Sequence, residues 1–418
     1  MQRTAVLHIG MHKTGSTSVQ NALRGYDDGS VFYATFEEPN HSIPIFTAFR
    51  TNFEDYHVWK SQGLSRAEIS KKRDVYRQNL SRMLQRRDRD RIVISGEDIG
   101  NLTIPEKHAL LEFFDRHGWT VNVVCYVREP THYAASVFQE GVKHRDRSIP
   151  NLYRPHYKSR LSGFLSELPK HAVCVRPFEL SQLKDGDVVS DFCARAGIYG
   201  AVAKELRSNQ SMSFNAARLL FNFNRSGVLT TGDASVTQAF KKFQWQVVRS
   251  YAGQGRARPG LFQDFADYSE VDWLRSEFGI KFESMAQDHQ EIGLLEKLSD
   301  LSDIDLAGLN QALENSGLRP QNYPDAVQKM QRIYFDYLSK EPRNGGEQTK
   351  LQRVEEEQNV AVKDVQARKS RVAFWIDYLD FCVHRLLSRV SFFGERFQNH
   401  FLAAAERKHR SCYDSRLS

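Results

Sequence analysis

Cysteine is scarce in this chain and badly spaced. Five cysteines stand at positions 125, 174, 193, 382 and 412, with no C-x-x-C pair among them. An odd, scattered set argues against a disulfide framework or a structural zinc centre, so no metal is expected and a reducing compartment is the simpler setting. Long apolar runs are missing as well. No uninterrupted stretch approaches the ~20 residues that span a bilayer as a helix. A leader-like segment is also lacking, because after Met1-Gln2-Arg3-Thr4 the chain enters the apolar Ala5-Val6-Leu7. A cytoplasmic protein is expected from these absences. Charge of one sign is modest, with 58 Lys+Arg against 51 Asp+Glu and a net charge of +7 over 418 residues. That excess suits an anionic ligand or surface better than nucleic acid, which is not an expected partner. A chain with 40% hydrophobic and 26% charged residues is neither collagen-like, of low complexity nor wholly disordered.

What is present begins with alternation. Apolar runs ending near Ile9, at Arg91–Ser95, at Trp119–Val127 and at Ala172–Val175 read as strands. Helical patterns follow Gly15 and Pro130 and cover Arg66–Arg89 and Pro105–His117. Strands alternating with helices predict an α/β fold with a parallel sheet flanked by helices. Residues 30–65 lack periodicity and read as long loops and short helices. From about Ser181 to Lys340 the pattern is mainly helical. Glu341-Pro342-Arg343-Asn344-Gly345-Gly346 is a boundary signal. The expected division is therefore residues 1–340, a linker at 341–350, and a helical C-terminal extension at 351–418.

The first strand runs into Gly10-Met11-His12-Lys13-Thr14-Gly15-Ser16-Thr17-Ser18. This G-x-x-x-x-G frame between a strand and a helix is similar to a phosphate-binding loop, and it gives the sheet a P-loop type. Glycines allow positive φ and close backbone approach. The loop then turns N–H groups towards an anion at the positive end of a helix dipole. A bland glycine-containing turn would need neither the Lys nor three consecutive hydroxyl residues. Triphosphatase loops place Lys after the second Gly, whereas here Ser16 follows Gly15 and the Lys is earlier, at Lys13. The second predicted strand ends Ser95-Gly96-Glu97-Asp98 without a convincing Walker-B carboxylate. A Mg-triphosphate site is thus poorly supported.

The segment His8-Ile9-Gly10-Met11-His12-Lys13-Thr14-Gly15-Ser16-Thr17-Ser18 resembles the 5′-phosphosulfate loop of bacterial PAPS-dependent sulfotransferases (PAPS is 3′-phosphoadenosine 5′-phosphosulfate). Tyr126-Val127-Arg128-Glu129-Pro130, with Ser136 eight residues after Arg128, is similar to the family's 3′-phosphate motif. Gln139-Glu140 also fits bacterial relatives. Asn209-Gln210-Ser211-Met212-Ser213 is a weaker likeness. The resemblance covers roughly residues 4–340 and thins after 215. The late Gly-rich Arg-Lys-Gly segment of eukaryotic cytosolic members has no counterpart in this reading.

The resemblance implies transfer of a sulfuryl group from PAPS to an acceptor hydroxyl, most simply on a carbohydrate, leaving PAP and needing no metal. Lys13 would neutralise the leaving 5′-phosphate oxygen. Thr14, Gly15, Ser16, Thr17 and Ser18 would hold the 5′-phosphate through N–H and hydroxyl donors. Arg128 and Ser136 would bind the 3′-phosphate. Glu97 is the expected base, with His12 as its rival and Asp98 the better helix cap. His8 reads as a core histidine. Aromatics between Phe32 and Trp59 read mostly as core, although rings of this kind can stack on sugars. Two other classes compete, a P-loop kinase or ATP-using phosphotransferase and a non-catalytic nucleotide-binding module. Within the extension, residues 372–402 carry an apolar stripe from Trp375 to Phe401 beside Arg385, Arg389 and Arg396. Packing back on the domain, an oligomer contact and peripheral contact with an anionic membrane surface all remain open for it.

Overall fold

The computed structural model describes residues 2–200, 202, 212–228, 234–283 and 293–341. Five strands form one sheet: β1 (Arg3–His8), β2 (Val31–Tyr33), β3 (Arg91–Ser95), β4 (Trp119–Val127) and β5 (Val173–Pro177). Their spatial order is β2-β3-β1-β4-β5 and every pairing is parallel. In register, Val6 stands opposite Val93 on one side and Asn122 on the other. The α/β expectation is therefore met. β2 was not expected, because a three-residue strand is too short to show a period. Only its pairing with Arg91, Ile92 and Val93 makes it one.

The central strands are near-continuously apolar because helices cover both faces of such a sheet. Ala5, Leu7, Ile92, Ile94, Val123, Cys125 and Val127 have no exposure. Each such Val, Leu or Ile side chain is worth ~1.5–3 kcal/mol of burial. Eight helices belong to this half: α1 (Ser16–Leu23), α2 (Ser42–Phe49), α3 (His57–Gln62), α4 (Arg66–Leu84), α5 (Ile104–Arg116), α6 (Pro130–Lys143), α7 (Tyr157–Leu165) and α8 (Val188–Ala196). Local chemistry sets their starts. At α4 the Ser65 and Glu68 side chains form a reciprocal capping box. Pro130 stands in the first turn of α6, and the Glu129 carboxylate accepts from the His132 N–H at 2.8 Å. The face expected of α1 is buried, with Val19 and Leu23 unexposed and Ala22 at 4%.

No strand follows β5 among the described residues. The helices there are α9 (Phe214–Arg225), α10 (Ala234–Ser250), α11 (Val271–Phe278), α12 (Leu294–Ser299), α13 (Ala307–Asn315) and α14 (Ala326–Ser339). The chain divides into two compact units. The first comprises residues 1–228, 244–315 and 319–329 and contains the whole sheet. The second comprises 229–243, 316–318 and 330–418. Inside the second, Phe243 meets Tyr334 edge-on at 5.9 Å and Lys242 pairs with Glu341 at 2.6 Å. The linker from residue 342 onward, the extension and its 372–402 stripe lie outside the described residues, as do Asn209, Gln210 and Ser211. Ser213 is described and caps α9 by accepting from the Ala216 N–H at 3.2 Å. Among the described residues no helix is long and apolar enough to cross a membrane.

Candidate functional site

β1 and β4 are neighbours whose chain connections depart in opposite directions, and doubly wound sheets bind ligands outside the carboxyl ends of such a strand pair. The two sequence motifs leave the sheet at that place. The Gly10–Gly15 loop follows β1, and Arg128 follows β4. The ladder continues into the loop, because Met11 N–H donates to Tyr126 O at 2.9 Å and Tyr126 N–H to Gly10 O at 2.8 Å.

The glycine frame has a steric reason. Gly10 has φ +85°, and a Cβ there would sit 2.8 Å from Glu97 Cγ. Gly15 has φ +76°, and its Cβ would sit 2.9 Å from Val188 Cγ1. Lys13 also adopts a left-handed φ of +66°, which costs an L-residue ~1–2 kcal/mol. Gly15 begins α1, accepting from the Ser18 N–H at 3.0 Å. The N–H groups of the first helical turn have no partner within the helix. Ser16 and Thr17 stand in that turn, so the loop opens on unspent donors.

The hydroxyls are not all free as expected. Thr14 is fully buried, and its Oγ1 donates to Met11 O at 2.5 Å. Ser16, 3% exposed, donates to the same carbonyl at 3.2 Å. Both side chains brace the loop from inside, so neither hydroxyl hydrogen is left for a ligand. Thr17 is exposed and Ser18 half-buried.

Lys13 and Arg128 come together, though 115 residues apart. Arg128 Nη1 donates to Lys13 O at 2.6 Å and to Ser136 Oγ at 3.0 Å. The eight-residue spacing is thus one turn-and-helix step that lays Ser136 on α6 beneath the guanidinium. Glu129 is not the partner of Arg128. Its carboxylate is spent on His132, Thr131 and Tyr268. Burial, and then the nearby charge of Arg256, push the Arg128 pKa down to about 10. Arg256 was missed in the sequence. It stands in Gly255-Arg256-Ala257-Arg258-Pro259-Gly260, a glycine-flanked basic segment that could have signalled it. The neighbouring Glu129 charge pulls the other way, and a bound anion at the guanidinium would add to that pull.

The Lys13 ammonium is held differently, 2.5 Å from Glu140 Oε2 on α6. Lys143 at 3.5 Å and His144 at 3.3 Å share that carboxylate. Burial favours the protonated acid of Glu140, but the Lys13 hydrogen bond and charge outweigh it and hold the carboxyl below its usual range.

Glu97 opens the 3₁₀ turn Glu97–Asn101 after β3 and packs against Gly10. Its Oε2 accepts from Asn40 Nδ2 at 3.0 Å, and it is half-buried. Asp98, expected as a cap, instead accepts from the Tyr56 hydroxyl at 2.6 Å and from Asn101 Nδ2 at 2.9 Å. His12 lies 3.7 Å from Asp98, and its Nδ1 accepts from Arg160 Nη2 at 3.4 Å. Burial first, then Arg160, lowers the His12 pKa against the opposite pull of Glu97 and Asp98. His8 is unexposed and hydrogen-bonds Ser95 through Nδ1 at 2.8 Å, and burial lowers its pKa to about 3. The aromatics Phe32, Tyr33, Phe46, Phe49, Phe53, Tyr56 and Trp59 are buried and Phe36 is half-buried, in line with a mostly core reading.

Among the described residues no group of three or more His, Cys, Asp or Glu could hold a metal ion. Cys125, Cys174 and Cys193 are free thiols. A cavity of about 240 Å³ at the start of α7, lined by Arg154, His156, Asp267 and Glu270 among others, includes none of the motif residues. Comparison with known proteins finds no matching family model, no matching curated protein and no matching solved structure.

Proposed function

We propose that this protein is a PAPS-dependent sulfotransferase built on a P-loop-type sheet. It would move a sulfuryl group to an acceptor hydroxyl, with a carbohydrate as the leading acceptor and PAP as the other product. The observation that carries the reading is the junction of the two motifs: Arg128 bridges Lys13 O and Ser136 Oγ at the carboxyl edge of β1 and β4. The strand order β2-β3-β1-β4-β5 supports the P-loop type, because it places the glycine loop at the point where the connections diverge.

The residues fit a nucleotide with phosphates at both ends of its ribose. At one end the loop supplies free N–H groups and Lys13. At the other, the Arg128 guanidinium is aimed by Lys13 O and Ser136 Oγ with the Arg256 charge nearby, and Ser136 adds a hydroxyl. PAPS supplies, when bound, the activated sulfuryl group and a phosphate leaving group. Lys13 then neutralises charge on the leaving oxygen. The loop N–H groups and Arg128 fix the nucleotide in one orientation. Glu97, next to the loop and on the sheet's carboxyl edge, takes the acceptor proton. His12 is disfavoured as base because its Nδ1 lone pair already faces the Arg160 cation.

Calorimetry with PAP tests the reading. Wild-type protein should bind PAP, while Arg128→Ala should weaken it sharply and Lys13→Ala to a smaller extent. Wild-type-like binding by both variants would discard the site. Mg-ATP binding in place of PAP would favour the phosphotransferase class. PAP binding without transfer to any of a panel of glycan, peptide and small-molecule acceptors would favour a non-catalytic module.

A further inference from the structure

We propose that Arg160 is a second anion-binding residue of this site, whose guanidinium takes the non-bridging oxygens of the transferred sulfuryl group. The inference rests on the sulfotransferase reading and adds to it a residue that no motif contains. Arg160 lies on α7 and is 7% exposed. Among the described residues it forms no ion pair, and its buried Nε has no hydrogen-bond partner. Its remaining contacts are long. Nη1 donates to Glu97 O at 3.3 Å and Nη2 to His12 Nδ1 at 3.4 Å. Arg218, the other deeply buried arginine among the described residues, shows what saturation looks like. It is 2% exposed, pairs with Asp303 at 2.6 Å and donates from Nε to Lys297 O at 2.7 Å. A buried guanidinium with neither counter-charge nor full hydrogen bonding is costly, and the cost is recovered when an anion arrives.

Its place says which anion. Arg160 touches the loop through His12 and the proposed base through the Glu97 backbone. It therefore stands where the donor loop meets the acceptor side. In the transfer, the acceptor oxygen bonds to sulfur while the bond from sulfur to the 5′-phosphate oxygen breaks. The electron pair leaves on that phosphate oxygen and the acceptor proton passes to Glu97. Lys13 answers the leaving oxygen, but charge is also spread over the three other sulfuryl oxygens, as in phosphoryl transfer. A planar fork of donors matches two of these at once. His12 adds a neutral donor. Arginine can only donate, so Nδ1 of His12 accepts and the ring proton sits on Nε2.

Only PAPS carries the sulfuryl group, so PAPS and PAP separate this role from every other. With the full chain, calorimetry should show Arg160→Gln weakening PAPS by roughly tenfold or more while PAP stays within about twofold. Equal losses for both nucleotides, or no loss for PAPS, overturn the proposal. If thermal melting shows that the Gln variant does not fold, Arg160→Lys keeps the charge without the fork. It should weaken PAPS by about threefold or more at unchanged PAP affinity, and a wild-type ratio overturns the proposal. Wild-type protein that binds neither nucleotide discards the sulfotransferase reading itself, a result distinct from a selective loss in the variants.

Discussion

The two basic side chains at opposite ends of the proposed ligand are held in opposite ways. Lys13 is neutralised by Glu140 at 2.5 Å on a loop with a left-handed backbone. Arg128 is aimed by Lys13 O and Ser136 and has another cation, Arg256, for a neighbour. The Arg128 end is preorganised, because two hydrogen bonds aim its guanidinium and, among the described residues, no carboxylate is paired with it. The Lys13 end is compensated, because the ammonium must leave one carboxylate before it serves a phosphate. Affinity should therefore be concentrated at Arg128 and rate at Lys13.

Four perturbations test that contrast. The largest effect is expected from Lys13→Ala, which should cut kcat by about 10³-fold, as loss of a charge-stabilising donor does elsewhere. Transfer from labelled PAPS would be measured at saturating nucleotide. A loss in PAP affinity alone would remove the division of labour. Next, Arg128→Lys keeps the charge and removes the fork, and PAP should bind roughly tenfold more weakly by calorimetry. An unchanged affinity would mean that only the point charge matters. Glu140→Gln should act in the other direction, tightening PAP by about threefold, because Lys13 no longer has a competing carboxylate. Weaker binding would instead make Glu140 the residue that aims Lys13.

The smallest effect concerns the footing shared by both ends. His8 on β1 and His41, just before α2, are buried, and burial lowers each pKa to about 3. The unfolded chain takes up protons near pH 6.5 that these rings refuse until about pH 3, so stability should fall as pH falls across that window. His41 Nδ1 accepts from the Ser95 N–H at 3.1 Å. His41→Asn keeps an acceptor and should flatten the dependence of Tm on pH. An unaltered slope would assign the acid sensitivity to other groups.

The sheet was largely legible because four of its strands are apolar-rich runs of five to nine residues. β2 was not, since its three residues are a strand only by pairing with β3. The loop was legible because glycine marks positive φ, and the structure adds the obstacle at each glycine: Glu97 at Gly10, Val188 at Gly15. Which hydroxyls face a ligand was not legible, because Thr14 and Ser16 turn inward only when Met11 O is in place. Lys13 and Glu140 are 127 residues apart, and Arg160 reaches His12 across 148. No local pattern encodes contacts at such separations. Arg256 was hidden for the same reason, although its glycine-flanked basic segment carried a faint sign.

The hydrogen bond from Arg128 to the Lys13 carbonyl joins the two subsites mechanically. Whatever settles on the guanidinium also restrains the peptide that carries the ammonium. Fragments offering one phosphate each should consequently show positive cooperativity. A 5′-phosphate should bind more tightly when the 3′ subsite is filled, and the reverse must hold by the same factor. The bisphosphate then gains a chelate advantage beyond the sum of its halves, since the first contact has already ordered the second.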